Sequence, residues 1–471
     1  MTAINWLEEA EKRKEALIKD TQRLLHIKSI LDEENATSDA PLGKEVKEAL
    51  DYMLKLGERD GFVAKNVGNV SGHLELGNGK ELVGILCHVD VVPEGDGWTS
   101  DPFGAEIRGG KIYARGALDD KGPTMAAYYA MKIVKELELP LTKRVRMIIG
   151  TDEESKWRCV EHYFNEEEMP TLGFAPDADF PIINAEKGIA DFDMVQTSLP
   201  DSKTESTVKV ASFVSGKRYN MVPDDAKAVI VVKGDEKEII RQFTNFMDRF
   251  GIGYQFQTEK GQLTLTVKGV SAHGMEPRNG KNAGLYLAEF LSKLNLDEKA
   301  SHYFQFVSRY FFDDSRGVHL GVAYTDDVSG DLTINAGKLS YTPETGGRIG
   351  ITCRYSVTNK MEDTKAKLDA LLQKEGFTIE NYSDSKPHYV DEKEFLIQTL
   401  KKVYEEQTGE KAELIAIGGG TYARSLKAGV AFGPLFPGKP DVAHQKDEYI
   451  EIDDLLKATA IYAQAIYELA K

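Results

Sequence analysis

Four short stretches of the chain carry side chains that could hold metal ions or move protons: His88-Val89-Asp90, Asp119-Asp120, Glu153-Glu154 and Asp177. In an extended segment residues two apart point the same way, so His88 and Asp90 share a face. One ring nitrogen of His88 could then bind a metal while Asp90 accepts the other N–H and fixes the tautomer. A lone His-x-Asp is better explained by core packing. Asp119 and Asp120 end a polar, glycine-bearing turn before a helix, where carboxylates can serve simply as caps. Neighbouring glutamates are ordinarily a solvated pair, and Glu166-Glu167-Glu168 reads that way. Position sets three of the four stretches apart. Leu82 to Cys87 leads into His88, Val145 to Ile149 precedes Glu153, and Thr171 to Ala175 precedes Asp177. Open α/β sheets place their ligands at such strand ends. Together the four ends offer His, Asp, Glu and Asp, a set that suits two divalent ions with one shared carboxylate and one spare to act as base.

The elements that must position these groups follow from periodicity. Val46, Ala49, Leu50, Met53 and Leu54 recur at helical spacing over 44–60. The continuously apolar run 82–87 predicts a strand buried on both faces. A helix is expected over 123–137, with Pro123 in its first turn. Strands alternating with helices through residue 180 predict a mostly parallel α/β sheet. The texture changes after Asn184: 191–213, 226–233 and 261–270 read as strands, separated by acidic helices such as Glu236 to Phe250. A similar mixture recurs over 284–380 and ends in the strand 348–356. After 390 the α/β texture returns, with a helix over 392–407, a strand from Glu413 to Ile417, the Gly418-Gly419-Gly420 turn and a helix from 452. The expected organisation is one α/β domain, 1–185 plus 386–471, interrupted by an inserted domain over 186–385 containing two α+β units.

A length of 471 residues suggests about three compact units, and 41% hydrophobic with 29% charged residues excludes a disordered chain. The net charge of −17 argues against nucleic acid and anionic membranes as partners. No apolar run approaches the ~20 residues of a membrane span, and Met1 to Lys19 reads as a charged helix rather than a secretory signal. Cys87, Cys159 and Cys353 are far apart and form no CxxC, which fits a cytoplasmic setting without disulfides or thiolate zinc. No Gly-x-Gly-x-x-Gly follows a first strand, which disfavours a nucleotide-binding fold. A catalytically silent metal-stabilised protein would need no spare base such as Glu153.

In order, His88-Val-Asp90, Arg115-Gly-Ala-Leu-Asp119-Asp120-Lys-Gly122, Glu153-Glu154 and Pro176-Asp177 resemble the signature of the M20 co-catalytic zinc peptidases. The long insertion, Gly269-Val-Ser-Ala-His273 and Val442-Ala-His444-Gln445-Lys-Asp-Glu448 most resemble that family's bacterial dipeptidase V branch. The resemblance implies an α/β zinc-peptidase domain, with a mostly parallel sheet, interrupted by an α+β lid. It implies two zinc ions, with manganese or cobalt able to substitute. His88 and Asp177 would bind one, Glu154 and His444 the other, with Asp119 bridging. It also implies that Asp90 orients His88, that Glu153 is the general base, and that the Asp119–Asp120 peptide is cis. In the lid, His273 would reach the scissile carbonyl, and Asn220 and Arg354 would hold the substrate. Gly419, Gly420 and Thr421 would form a substrate-binding turn. The residues alone leave more open. His444 is a lone loop histidine, His273 is as readily idle as functional, and Arg354 is either a surface residue or a fork for a free carboxylate. Tyr422 and Arg424 could line the pocket but carry no assigned role. The implied activity is hydrolysis of unblocked dipeptides by a monomer, with a small peptide as partner. The alternative is an N-acyl amino acid deacylase or succinyl-diaminopimelate desuccinylase of the same family.

Overall fold

The computed structural model describes residues 4–197 and 205–471. The chain forms two compact units, because its C-terminal part returns to the first. One unit comprises Met1–Ala185, Tyr389–Ile415 and Gly420–Lys471, the other Glu186–His388 with Ala416–Gly419. Each has its own hydrophobic core.

The sheet of the first unit runs, in spatial order, Val63–Val67, Ser71–Leu76, Arg144–Gly150, Leu82–His88, Leu172–Ala175, Gly429–Ala431 and Ile182–Glu186. The middle four strands are parallel. The flanking pairings are antiparallel, so the mostly parallel expectation holds for the centre only. The physical reason at one edge is local. Gly68 and Asn69, at φ 65° and 60°, make a tight turn that returns Ser71–Leu76 directly against Val63–Val67. Every residue of Leu82–His88 is buried. Helices Lys121–Glu136 and Ile452–Ala470 pack on each other and on this strand.

Helix Lys121–Glu136 starts two residues before its expected start, leaving Pro123 in the first turn, where a missing N–H costs no hydrogen bond. The charged N-terminal segment forms two helices, Trp6–Glu11 and Lys14–Leu25. Glu167 and Glu168 are not merely solvated. They pair with Lys65, Arg144 and Arg146.

The second unit is built on one antiparallel eight-stranded sheet. Its order is Gly253–Glu259, Gln262–Lys268, Asp225–Val232, Val208–Ser215, Thr333–Thr342, Gly346–Tyr355, Gly188–Gln196 and Phe377–Ser385. Helices Glu236–Phe250, Ala283–Leu291, Glu298–Phe311 and Met361–Lys374 contribute buried side chains to its core. Part of the expected strand 191–213 (residues 198–204) lies outside the described residues.

Candidate metal centre

The parallel strands deliver their ends to one place. His88 closes its strand fully buried. Its Nδ1 donates to the Asp90 main-chain carbonyl at 3.1 Å and lies 3.4 Å from Asp90 Oδ1. That arrangement leaves Nε2 as the lone-pair nitrogen, 3.1 Å from Asp119 Oδ1 and 3.7 Å from Asp177 Oδ2. Asp90 reaches further than its sequence spacing indicates, since its Oδ2 accepts from Glu154 N at 3.1 Å. On the other side, His444 Nε2 lies 3.0 Å from Asp119 Oδ2 and 2.9 Å from Glu154 Oε1. Asp119 therefore turns one oxygen to each histidine.

Loop chemistry holds these groups. The Asp119–Asp120 peptide is cis. The Asp152 carboxylate accepts from Arg158 N, Nε and Nη2, at 3.1, 2.7 and 2.9 Å, which ties down the loop bearing Glu153 and Glu154. His444 has φ 61°, a left-handed conformation uncommon outside glycine, and its side chain is 51% exposed against 0% for His88.

Among the described residues, two sets of ligand-type side chains bring their N or O atoms within 4.8 Å of one another: His88, Asp120 and Asp177, and Asp119, Glu154 and His444. Sequence reasoning left Asp120 as a possible cap. The structure buries it beside His88, whose N–H it accepts at 3.1 Å through Oδ2, while Oδ1 makes no hydrogen bond. Tyr422 is the other omission. Its buried ring stands edge-on to His88 at 5.8 Å, and its hydroxyl lies 3.3 Å from Cys159 Sγ. The signal for both was adjacency to residues already singled out.

The electrostatics are those of crowded anions. Burial pushes the Glu153 carboxyl well above the usual carboxylate range, and Asp177, Glu154 and Asp119 push the same way against His88. Burial and Asp119 raise Asp177 to about 6. Asp119 and Glu154 raise His444 to about 10. The buried oxygens Asp90 Oδ1 and Asp120 Oδ1, which accept no hydrogen bond, add to this excess of acceptors. Imidazole nitrogens and carboxylates crowded in this way fit divalent metal ions.

Of the remaining sequence candidates, the second unit brings Asn220, His273 and Arg354 onto one sheet region. Met221 bridges His273, and Gly274 N donates to Asn220 O at 2.7 Å. Arg354 is 5% exposed, opposite Thr333 and Ile189 on adjacent strands. Partial burial and then Arg354 lower the pKa of His273. Gly419 belongs to the second unit, Gly420 and the buried Thr421 to the first. A side chain at Gly419 would meet open space, whereas one at Gly420 would strike Arg424.

Imidazoles and carboxylates gathered at the carboxyl ends of parallel strands, with a further partly buried glutamate, define a metal-dependent hydrolase. The chain belongs to peptidase family M20/M25/M40, whose family model matches residues 84–468. It is 56% identical over 468 residues to "Putative dipeptidase YtjP" of Bacillus subtilis (strain 168), covering 99% of this chain and 100% of that protein. It is 47% identical over 464 residues to a "Putative dipeptidase" of Staphylococcus epidermidis (strain ATCC 12228 / FDA PCI 1200), covering 98% and 99%. Among solved structures, the fold is shared with aminoacylhistidine dipeptidase from Vibrio alginolyticus, at TM-score 0.60, 14% identity and 97% coverage of each chain. Human carnosine dipeptidase 1 shares it at TM-score 0.55, 14% identity and 98% coverage of each.

Proposed function

We propose that this chain is a two-zinc dipeptidase that hydrolyses the peptide bond of unblocked dipeptides. The observation that carries the reading is Asp119, one carboxylate with an oxygen toward each of two histidines, beside a partly buried glutamate, Glu153, outside both ligand sets. The dipeptidase names of the two bacterial relatives support the substrate class.

In this reading His88 and Asp177 hold one ion, Glu154 and His444 the other, and Asp119 both. Manganese or cobalt can replace zinc, since the donors are nitrogen and oxygen only. When bound, the ions supply Lewis acidity, which lowers the pKa of water and polarises the amide carbonyl. Asp90 holds the His88 tautomer through Nδ1–H. Glu153 takes the proton from the attacking water and returns it to the departing amine, a task suited to a carboxyl whose pKa burial has raised. The second unit acts as a lid that reads the substrate. Arg354 pairs with the free carboxylate, Asn220 orients the backbone, and His273 hydrogen-bonds the developing oxyanion. Gly419, Gly420 and Thr421 form the turn along which the substrate lies. The enzyme works as a cytoplasmic monomer.

The test is a substrate panel on metal-free protein reloaded with zinc, manganese or cobalt. Free dipeptides should be cleaved, and tripeptides and N-acyl amino acids poorly or not at all. Preferential release of acyl groups would replace this reading with the deacylase one.

A further inference from the structure

Glu448 takes no direct part in the chemistry above, yet it is fully buried next to it. Its Oε1 accepts from Leu118 N at 2.8 Å and from Asp119 N at 3.1 Å. Its Oε2 accepts from Gly116 N at 3.1 Å and from Arg115 Nη1 at 2.5 Å. One carboxylate thus gathers three main-chain N–H groups of a single loop and a guanidinium. The loop can close around it because Gly116 sits at φ +86°, where a side chain would be strained and would strike Val91.

The same contacts reach the other side of the centre. Arg115 Nη1 also lies 3.3 Å from Gln445 O, and Ala114 N donates to Glu448 O at 3.1 Å. His444 precedes these residues in the same segment, left-handed and half-exposed. Asp447, at φ 57°, is held by Thr99 N and Oγ1 at 2.8 and 2.9 Å. The Arg115–Glu448 pair therefore joins the loop that ends in Asp119 to the segment that begins with His444.

Resting on the dipeptidase reading, we propose that Glu448 is a positioning residue that holds Asp119 and His444 at ligand spacing before metal arrives. Two ligands on separate loops would otherwise have to be ordered by the ion itself, which weakens binding. Partners of this indirect kind are commonly worth 10–100-fold in metal affinity.

The test compares wild-type protein with Glu448→Gln by zinc titration against a competing chelator. Glutamine keeps the size and one acceptor, but it turns an NH₂ toward Arg115 and Gly116 N, donor against donor. One of two zinc ions should bind about 10–100-fold more weakly. Excess zinc should restore kcat, and the KM for a dipeptide should stay unchanged. A merely structural role would lower the melting temperature of metal-free protein and leave zinc affinity alone. Zinc affinity equal to wild type overturns the proposal. Should Glu448→Gln fail to fold, Arg115→Lys, which keeps the charge and loses the fork, is read by the same titration. It must also weaken one zinc, and unchanged affinity there is equally decisive against the idea. Wild-type protein that binds zinc but cleaves no dipeptide would sink the dipeptidase reading while leaving this zinc comparison intact.

Discussion

His444 Nε2 stands 2.9 Å from Glu154 Oε1, although 290 positions separate the two residues in the chain. The contact joins the exposed C-terminal segment to the loop that follows the central strand Arg144–Gly150.

Glu153 and Glu154 are adjacent, yet only Glu154 belongs to a ligand set. Glu153→Ala should keep both metal ions and lose activity by about 10²–10⁴-fold, the usual worth of a positioned acid–base group. Glu154→Ala should lose about one ion. Metal analysis of the purified variants checks both, and loss of one ion from Glu153→Ala would reverse the assigned roles.

The two histidines should differ in what they do to folding. His444 is half-exposed, so His444→Ala should release one ion with little change in the melting temperature of metal-free protein. His88 is fully buried and bonded to Asp90 O. His88→Ala should lose metal and also destabilise the metal-free fold by about 1–3 kcal/mol, because buried polar partners lose their bond. Denaturant unfolding of the metal-free proteins gives the comparison.

Arg354 is buried in the second unit and, in the proposed reading, pairs with the substrate carboxylate. Arg354→Ala should lower kcat/KM for dipeptides far more than it alters zinc content. It should also narrow the gap between a dipeptide and its C-terminal amide, because an unmatched buried charge is what makes such a site selective. Wild-type enzyme that cleaves amides or tripeptides as fast as free dipeptides would rule this out.

Away from the centre, His73 is buried, and its Nδ1 meets the Tyr163 hydroxyl at 2.8 Å. Burial, then Arg146, lowers its pKa from 6.5 to about 4. The unfolded chain therefore takes up a proton near pH 6.5 that the folded chain refuses until about pH 4. The stability from keeping His73 neutral is fully present above pH 6.5 and is lost as pH falls through that window, by on the order of 3 kcal/mol. His73→Gln should flatten unfolding free energy against pH between 6.5 and 4 by about one proton's slope. An unchanged slope would show that His73 does not titrate this way.

The sequence by itself determined the strands and the helices that flank them. Their signals are local: an apolar run that can only be buried, as at Leu82–His88, or apolar residues at helical spacing, as at Lys44–Arg59. It also singled out His88, the Asp119–Asp120 turn, Glu153-Glu154 and Asp177, because each stands at the end of such an element. It could not, from spacing alone, bring His444 to Glu154, since nothing in a polar loop records which distant strand end it meets. Only the tertiary structure decided that Asp119 faces both histidines, that Asp120 is buried against His88 rather than left as a solvent-facing cap, and that Glu448 gathers the amides of the Arg115–Asp119 loop. Those contacts depend on loop paths. Such features are settled by how the whole core packs, and no window of neighbouring residues contains that information.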